Sequence, residues 1–236
     1  KGYYFPRLMK NTLLLSCGQL IFGFPAPIIL ALLLNEVRST IFKRTVQTVT
    51  YLPHFISLIV VCGMVVDFLS RDGLINKIRM TIGAEQILFL INPKYFKTIY
   101  IGSGIWQGIG WGSIVYLAAL SQVDQELYEA CTIDGGGRWK QFVHVTFPQI
   151  LPTIIILLIL NVGRLMSEGP QKIILLYNSS TLESADIISS YVYRRGLEEM
   201  NYSFASAVGL FNNVINCTLL VATNYLSKRA SEISLW

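Results

Sequence analysis

Three polar side chains interrupt the end of a long apolar run: Asn161, Arg164 and Glu168, spaced i, i+3 and i+7, which share one face of a helix. Polar groups inside hydrocarbon cost free energy unless they are paired or face water, so such a face either lines an aqueous path or is satisfied internally. Both readings stand here, because Arg164 and Glu168 are also spaced i, i+4 and can pair with each other. A second face, Gly104, Gln107, Gly108 and Trp111, joins small residues that open a groove to an amide that donates and accepts and an indole that stacks on flat apolar surfaces. Aromatic plus amide suits a sugar ring; the competing reading is close helix packing through the glycines, with Trp111 filling the gap. Asn212 and Asn213, with Asn216, form a weaker polar set in the last apolar run, where each can instead bond a neighbouring helix.

Little else in the chain can do covalent chemistry. With two His, no His-Glu-x-x-His, no paired Asp within an apolar run and no nucleophile motif, an intramembrane enzyme is not expected. His54, alone at the start of an apolar run, reads as a structural residue. Cys17, Cys62, Cys131 and Cys217 lack metal-type or redox-type spacing and read as packing residues. Gly135, Gly136 and Gly137 invite a phosphate-loop reading, which fails because no Gly-Lys-Ser/Thr follows and no strand precedes. ATP and Mg are therefore not expected in this chain. The net charge of +5 is scattered over connecting segments without a dense basic cluster, which argues against nucleic acid as a partner.

The elements that must position these residues follow from composition. The chain has 53% hydrophobic and only 14% charged residues, against about a quarter charged in soluble domains. The charges cluster and leave five free stretches, at 11–35, 45–66, 98–123, 141–163 and 200–227. Each is long enough to cross ~30 Å of hydrocarbon at ~1.5 Å per residue. The expected fold is an all-α, polytopic transmembrane bundle, embedded in lipid as a single domain over residues 1–236. Its spans are predicted at Thr12–Leu34, Tyr51–Phe68, Thr98–Leu120, Ile150–Glu168 and Phe204–Leu226. Five spans put the two ends on opposite faces, and an earlier, sixth span is expected upstream of Lys1. The inferred outer segments hold more Lys and Arg than the inner ones, so charge counting does not set the orientation.

Residues 121–149 are too long a link to be a mere connector. Asp124 to Ile133 sets Gln125, Glu126, Glu129 and Asp134 against Leu127, Tyr128, Ala130 and Ile133, which is a short amphipathic helix with an acidic face. The three glycines then allow a sharp reversal. A second helix starts at Arg138, delimited by Pro148 and Pro152. A helix lying on lipid is usually rich in Lys and Arg, whereas this one is acidic, so docking to a protein is the favoured reading.

This segment resembles the cytoplasmic "EAA" coupling loop of permease subunits in binding-protein-dependent ABC importers. Glu129 and Ala130 match its start, Cys131 replaces the second Ala, Gly135 falls on its glycine, and Val145-Thr146-Phe147-Pro148 stand for its Ile-x-Leu-Pro close. The resemblance continues in Asn11-Thr12-Leu13, Phe24-Pro25-Ala26-Pro27 through Asn35-Glu36-Val37, Tyr191-Val192-Tyr193-Arg194, Ala207-Val208-Gly209-Leu210-Phe211 and Ser234-Leu235-Trp236. Together these are similar to the complex-sugar and polysaccharide branch of the family, whose fold is of the methionine-importer-like, type I permease kind. The resemblance implies a non-catalytic subunit of a prokaryotic plasma (inner) membrane importer. It also implies a second homologous permease, two ATPase subunits that carry ATP and Mg, and an external sugar-binding protein. Coupling to the ATPase would then fall to Glu129, Ala130, Cys131, Asp134, Gly135, Gly136, Gly137, Phe147 and Pro148. The alternative, an ion-coupled secondary transporter, would need buried mid-span carboxylates, and Glu168 beside Arg164 is the nearest the sequence comes to one.

Overall fold

The computed structural model describes residues 4–236, which form a bundle of helices with no strand assigned among them. Helix α1 (Tyr4–Gly18) runs through a π-helical turn, Gln19–Gly23, into α2 (Pro25–Glu36). The turn has a cause in the sequence: Pro25 and Pro27 have no N–H to donate back, and the ladder shifts to Phe24 N–H donating to the Gln19 carbonyl at 3.2 Å. Then follow α3 (Thr40–Phe55), α4 (Leu58–Leu69), α5 (Leu74–Thr81) and the 28-residue α6 (Pro93–Leu120), started by the Asn92 side chain accepting from Lys94 N–H. The acidic hairpin is α7 (Gln125–Ile133) and α8 (Arg138–Gln141), and α9 covers Phe147–Val162. Three short helices, α10 (Pro170–Leu176), α11 (Leu182–Ala185) and α12 (Ile188–Tyr193), precede the 30-residue α13 (Tyr202–Ser231).

Among the described residues three helical runs are long and apolar enough to cross a membrane: Tyr4–Glu36, Arg138–Val162 and Tyr202–Ser231. A fourth candidate is a broken pair, Thr40–Phe55 with Leu58–Thr81, bent by 105°. The second span expected at Tyr51–Phe68 is therefore not straight. Ile56 is extended, and Ser57 starts a new helix by accepting from Val60 N–H, so Pro53 marks the last turn of one helix rather than the interior of a span. Helix α6, expected as the third span, is not among the apolar candidates, because glycines, Ser103, Gln107 and Ser113 dilute it. It is instead the axis against which α1, α2, α3, α9, α10 and α11 all pack, with Ser103 and Ser113 buried.

The fourth expected span, Ile150–Glu168, also changes. Helix α9 stops at Val162, and the chain turns through Arg164 and Leu165, whose N–H groups donate to the Asn161 and Val162 carbonyls. On the other side it is longer than expected. Pro148 and Pro152 do not delimit it, since α8, a π-helical turn at Phe142–Thr146 and α9 form one unbroken helical run. Pro148 follows the π-helical turn, where the hydrogen-bond ladder already changes register, and Pro152 lies inside α9.

Small residues allow the close crossings. A Cβ on Gly110 would stand 2.1 Å from the Thr50 carbonyl oxygen of α3, and one on Gly163 2.3 Å from Leu220 of α13. Buried polar pairs join α1 to α11 and α12. Asn11 donates to the Glu183 and Asp186 carbonyls, and Thr12 accepts from Ile188 N–H. Arg194 pairs with Asp186 at 2.5 Å. The two segments Asn11–Leu13 and Tyr191–Arg194, separate in sequence, thus belong to one junction. Cys62 is buried as expected of a packing residue, Cys17 and Cys131 are half-buried, and Cys217 is exposed.

Gly110→Val should overpack the α3–α6 crossing and cost about 1–3 kcal/mol or more, read as a lower melting temperature and yield of the purified protein. Gly108→Ala, where nothing lies within 4 Å of an added Cβ, should leave both unchanged.

Candidate functional site

The hairpin is built by local rules. Asp124 caps α7 by accepting from Glu126 N–H at 3.0 Å. Its far end is a Schellman closure: Gly136 N–H donates to the Cys131 carbonyl at 2.8 Å and Gly135 N–H to the Thr132 carbonyl at 3.0 Å. This closure needs a residue in the left-handed region, and Gly135 supplies it with φ +75°. The three glycines are thus not equivalent. Gly136 is required for space, since a Cβ there would sit 2.4 Å from Cys131 Sγ, while Gly137 starts α8 with open space around it.

Two side-chain bonds that periodicity does not foretell tie the arms together. Tyr128 and Thr146 share a hydroxyl–hydroxyl bond of 3.0 Å, and Gln141 Nε2 donates to Thr132 Oγ1 at 2.9 Å. Both join α7 to the helical run that continues into α9. The outward surface carries Glu126, Glu129, Ala130 and Asp134 around two large apolar side chains, Ile133 at 86% and Trp139 at 75% exposure. Phe142 and Phe147 continue the aromatic line, with ring centroids 5.5 Å and 6.1 Å apart along Trp139–Phe142–Phe147. Of the residues expected to couple, Phe147 and Pro148 are also exposed, while Cys131 is half-buried in the turn. Exposed apolar knobs set among the acidic residues of α7 and the flanking Arg138 and Lys140, with no buried residue in α7, have the chemistry of a surface that docks into a groove.

The other end of the same helical run borders a groove of about 430 Å³ between α1–α2, α6 and α9. Asn161, Arg164 and Glu168 all line it, but not as one helical face, because the helix ends between them. Arg164 and Glu168 do not pair with each other. Glu168 accepts the Tyr100 hydroxyl at 2.8 Å, and no carboxylate lies within 4.0 Å of Arg164 among the described residues. Gln107, Gly108 and Trp111 are not in the groove; Gly112, Val115 and Tyr116 take that face of α6. Trp111 is stacked on His54, centroids 4.5 Å apart and 2° from parallel, with Phe55 edge-on. Gly104 lies at the groove's edge, where an added Cβ would meet Lys172 Nζ and the Gln19 amide. Sequence periodicity finds a face but not its direction, and the Gly110 crossing with α3 turns this one away.

Asn212 and Asn213 line a second groove, also about 430 Å³, which shares Ser167 and Glu168 with the first. Asn216 serves the fold instead, accepting from Met166 N–H at 3.0 Å and donating to Ser167 Oγ at 2.7 Å, which pins the turn after α9 onto α13. Two lining residues of the first groove, Ser16 and Gln19, do not stand out in the sequence. The signal they carry there is a Gln on an apolar helix, four residues before Gly23 and six before Pro25.

A helical membrane bundle with a polar internal groove, and an exposed hairpin rigidly joined to the helix beside it, defines a transport permease. The chain belongs to the family of binding-protein-dependent transport system inner membrane components, whose family model matches residues 23–231. It is 44% identical over 233 residues to protein LplB of Bacillus subtilis, covering 98% of this chain and 73% of the relative. It is 43% identical over 230 residues, 97% of this chain and 72% of the relative, to the polygalacturonan/rhamnogalacturonan transport system permease protein YteP of the same organism. Among solved structures it is similar, with TM-score 0.94 and 45% identity over 98% of this chain and 81% of the other, to a chain of a bacterial ABC transporter involved in the import of the acidic polysaccharide alginate.

Gly135→Ala should strain the reversal, whereas Gly137→Ala should be tolerated. Limited proteolysis of the hairpin, faster in the first variant and unchanged in the second, checks the difference. Tyr128→Phe should release one inter-arm bond at a cost of about 0.5–1.5 kcal/mol, with the same readout falling between the two.

Proposed function

We propose that this chain is one permease subunit of an ATP-driven importer of oligo- or polysaccharides, spanning the prokaryotic plasma membrane five times within the described residues. The five spans are α1–α2, the bent α3–α4 pair, α6, α9 with its inner extension, and α13. It forms half of a translocation path, and the other half belongs to a second, homologous permease. Two ATPase subunits hold ATP and Mg and seat the hairpin, and an external sugar-binding protein delivers the cargo. No bond is made or broken by this chain.

The observation that carries the reading is the continuity of the run Arg138–Val162. Its inner end is the exposed hairpin, and its outer end carries Asn161 into the groove, ~35 Å away at ~1.5 Å per residue. An ATPase cleft that closes on the hairpin moves this rod, and the rod moves a wall of the path. The sugar class is supported by the names of the relatives. The alginate transporter, solved also with an alginate pentasaccharide-bound periplasmic protein, offers a model for how the external partner docks.

Expression of this chain with its neighbouring transport genes, followed by purification through a tag on this chain, should yield a second permease and an ATPase in stoichiometric amounts. In liposomes that complex should couple sugar uptake to ATP hydrolysis. Gly135→Asp should assemble normally yet lose most uptake per ATP hydrolysed. Uptake by this chain and an ATPase alone would contradict the proposal, as would full coupling in the Gly135→Asp complex.

A further inference from the structure

Two buried polar atoms without a hydrogen-bond partner lie one turn apart on α1 and its π-helical extension: Ser16 Oγ and Gln19 Oε1. Ser16 is 4% exposed, and both residues line the 430 Å³ groove. Buried polar groups are paired in the great majority of cases, so two unpaired neighbours facing one cavity point to a ligand that pairs them. The Gln19 amide is also held in place. A Cβ on Gly23 would come within 2.6 Å of its Nε2, and one on Gly104 within 3.3 Å of its Oε1, so two glycines leave the space it fills. The π-helical turn that begins at Gln19 shifts the ladder so that this side chain lies against the groove.

Across the groove stand Asn161 and Arg164. The Asn161 amide nitrogen is committed to the Leu157 carbonyl at 2.8 Å, which leaves its oxygen to accept. Arg164 is exposed and has no carboxylate partner among the described residues. Glu168, the one acidic side chain lining the groove among those residues, is bonded to Tyr100. Lys172 Nζ adds a second cation beside Gln19, held by the Tyr100 carbonyl at 2.8 Å and lying 4.7 Å from the centre of the Tyr100 ring. The groove's surroundings thus carry two cations against one engaged carboxylate, a field that concentrates an anion. Its volume lies in the ~300–1,000 Å³ range of small-ligand sites.

We infer that this groove is a subsite for one carboxylate-bearing sugar unit of the transported chain, in which Arg164 takes the carboxylate and Ser16, Gln19 and Asn161 take the ring hydroxyls. Arginine matches a carboxylate with two parallel N–H donors, and a hydroxyl both donates to Asn161 and Gln19 and accepts from Ser16. The inference rests on the permease reading above and adds to it the charge of the cargo and the residues that recognise it.

The test uses the complete complex in liposomes and two probes, a uronic-acid trisaccharide and its carboxyl-reduced, neutral counterpart. The binding protein is common to every arm, so a change in the ratio of the two uptake rates between variants belongs to this chain. Arg164→Gln should lower the acidic-to-neutral ratio about tenfold or more, with the yield of the assembled complex unchanged, and Arg164→Lys should restore part of it. Gln19→Ala and Ser16→Ala should raise the half-saturating concentration for both probes and leave the ratio alone. A wild-type complex that moves only the neutral probe, or an Arg164→Gln ratio equal to wild type with the assembled complex intact, would overturn the subsite. If Arg164→Gln does not assemble, an effect of Gln19→Ala on yield alone, with uptake per complex unchanged, overturns it equally. A wild-type complex that moves neither probe nor any other sugar refutes the permease reading instead.

Discussion

In lipid there is no hydrophobic force to press helices together, so this bundle depends on how closely backbones can approach one another. The contact that sets the arrangement is Gly110 of α6 against the Thr50 carbonyl of α3, where a single added methyl group would overlap backbone. Gly112 against Pro27 repeats the device on the other side of α6, at 3.0 Å from a built Cβ. With both contacts made, α6 becomes the fixed axis, its rotation is set, and the face bearing Gly112, Val115 and Tyr116 is turned to the groove. The same rotation sends Trp111 to His54 and away from the groove.

Against that axis the run Arg138–Val162 behaves as a rod with different attachments at its two ends. At the hairpin end it is bonded to α7 through Thr146 and Gln141, which ties the hairpin's two arms together. At the far end Gly163 lets α13 close in, and Asn216 holds the turn that follows. The π-helical turn at Phe142–Thr146 is the one place where the rod's hydrogen-bond ladder changes register. The Tyr128–Thr146 bond ties the last residue of that turn to α7.

Much of this was legible in the residues. The charge-free stretches marked the apolar runs, because lipid tolerates few unpaired charges, and Gly135 marked the reversal, because a Schellman closure needs positive φ. Three things were not legible. The break at Ile56–Ser57 has no glycine and lies three residues past the nearest proline, so hydropathy ran straight through it. Pro148 and Pro152 looked like boundaries, yet Pro148 follows a turn where the ladder already changes register, and Pro152 lies within α9 without ending it. The lining of the groove was half found: Asn161 and Arg164 stood out by type, but Ser16 and Gln19 lie in an apolar run with nothing in the sequence to mark them, and only their unpaired atoms beside the groove single them out. Trp111 was drawn by its chemistry toward a sugar, yet it stacks on His54 and does not line the groove, since periodicity carries no information on which neighbour a face adjoins.

The central claim is that hairpin and groove wall move as one rigid element about α6. Spin labels at positions 139 and 160, and a second pair at 41 and 139, in the assembled complex on a cysteine-free background, give the two distances that decide it. On trapping the complex with a non-hydrolysable ATP analogue, the 139–160 distance should stay fixed while the 41–139 distance shifts. A changed 139–160 distance with a constant 41–139 distance would place the motion inside the rod and contradict the account.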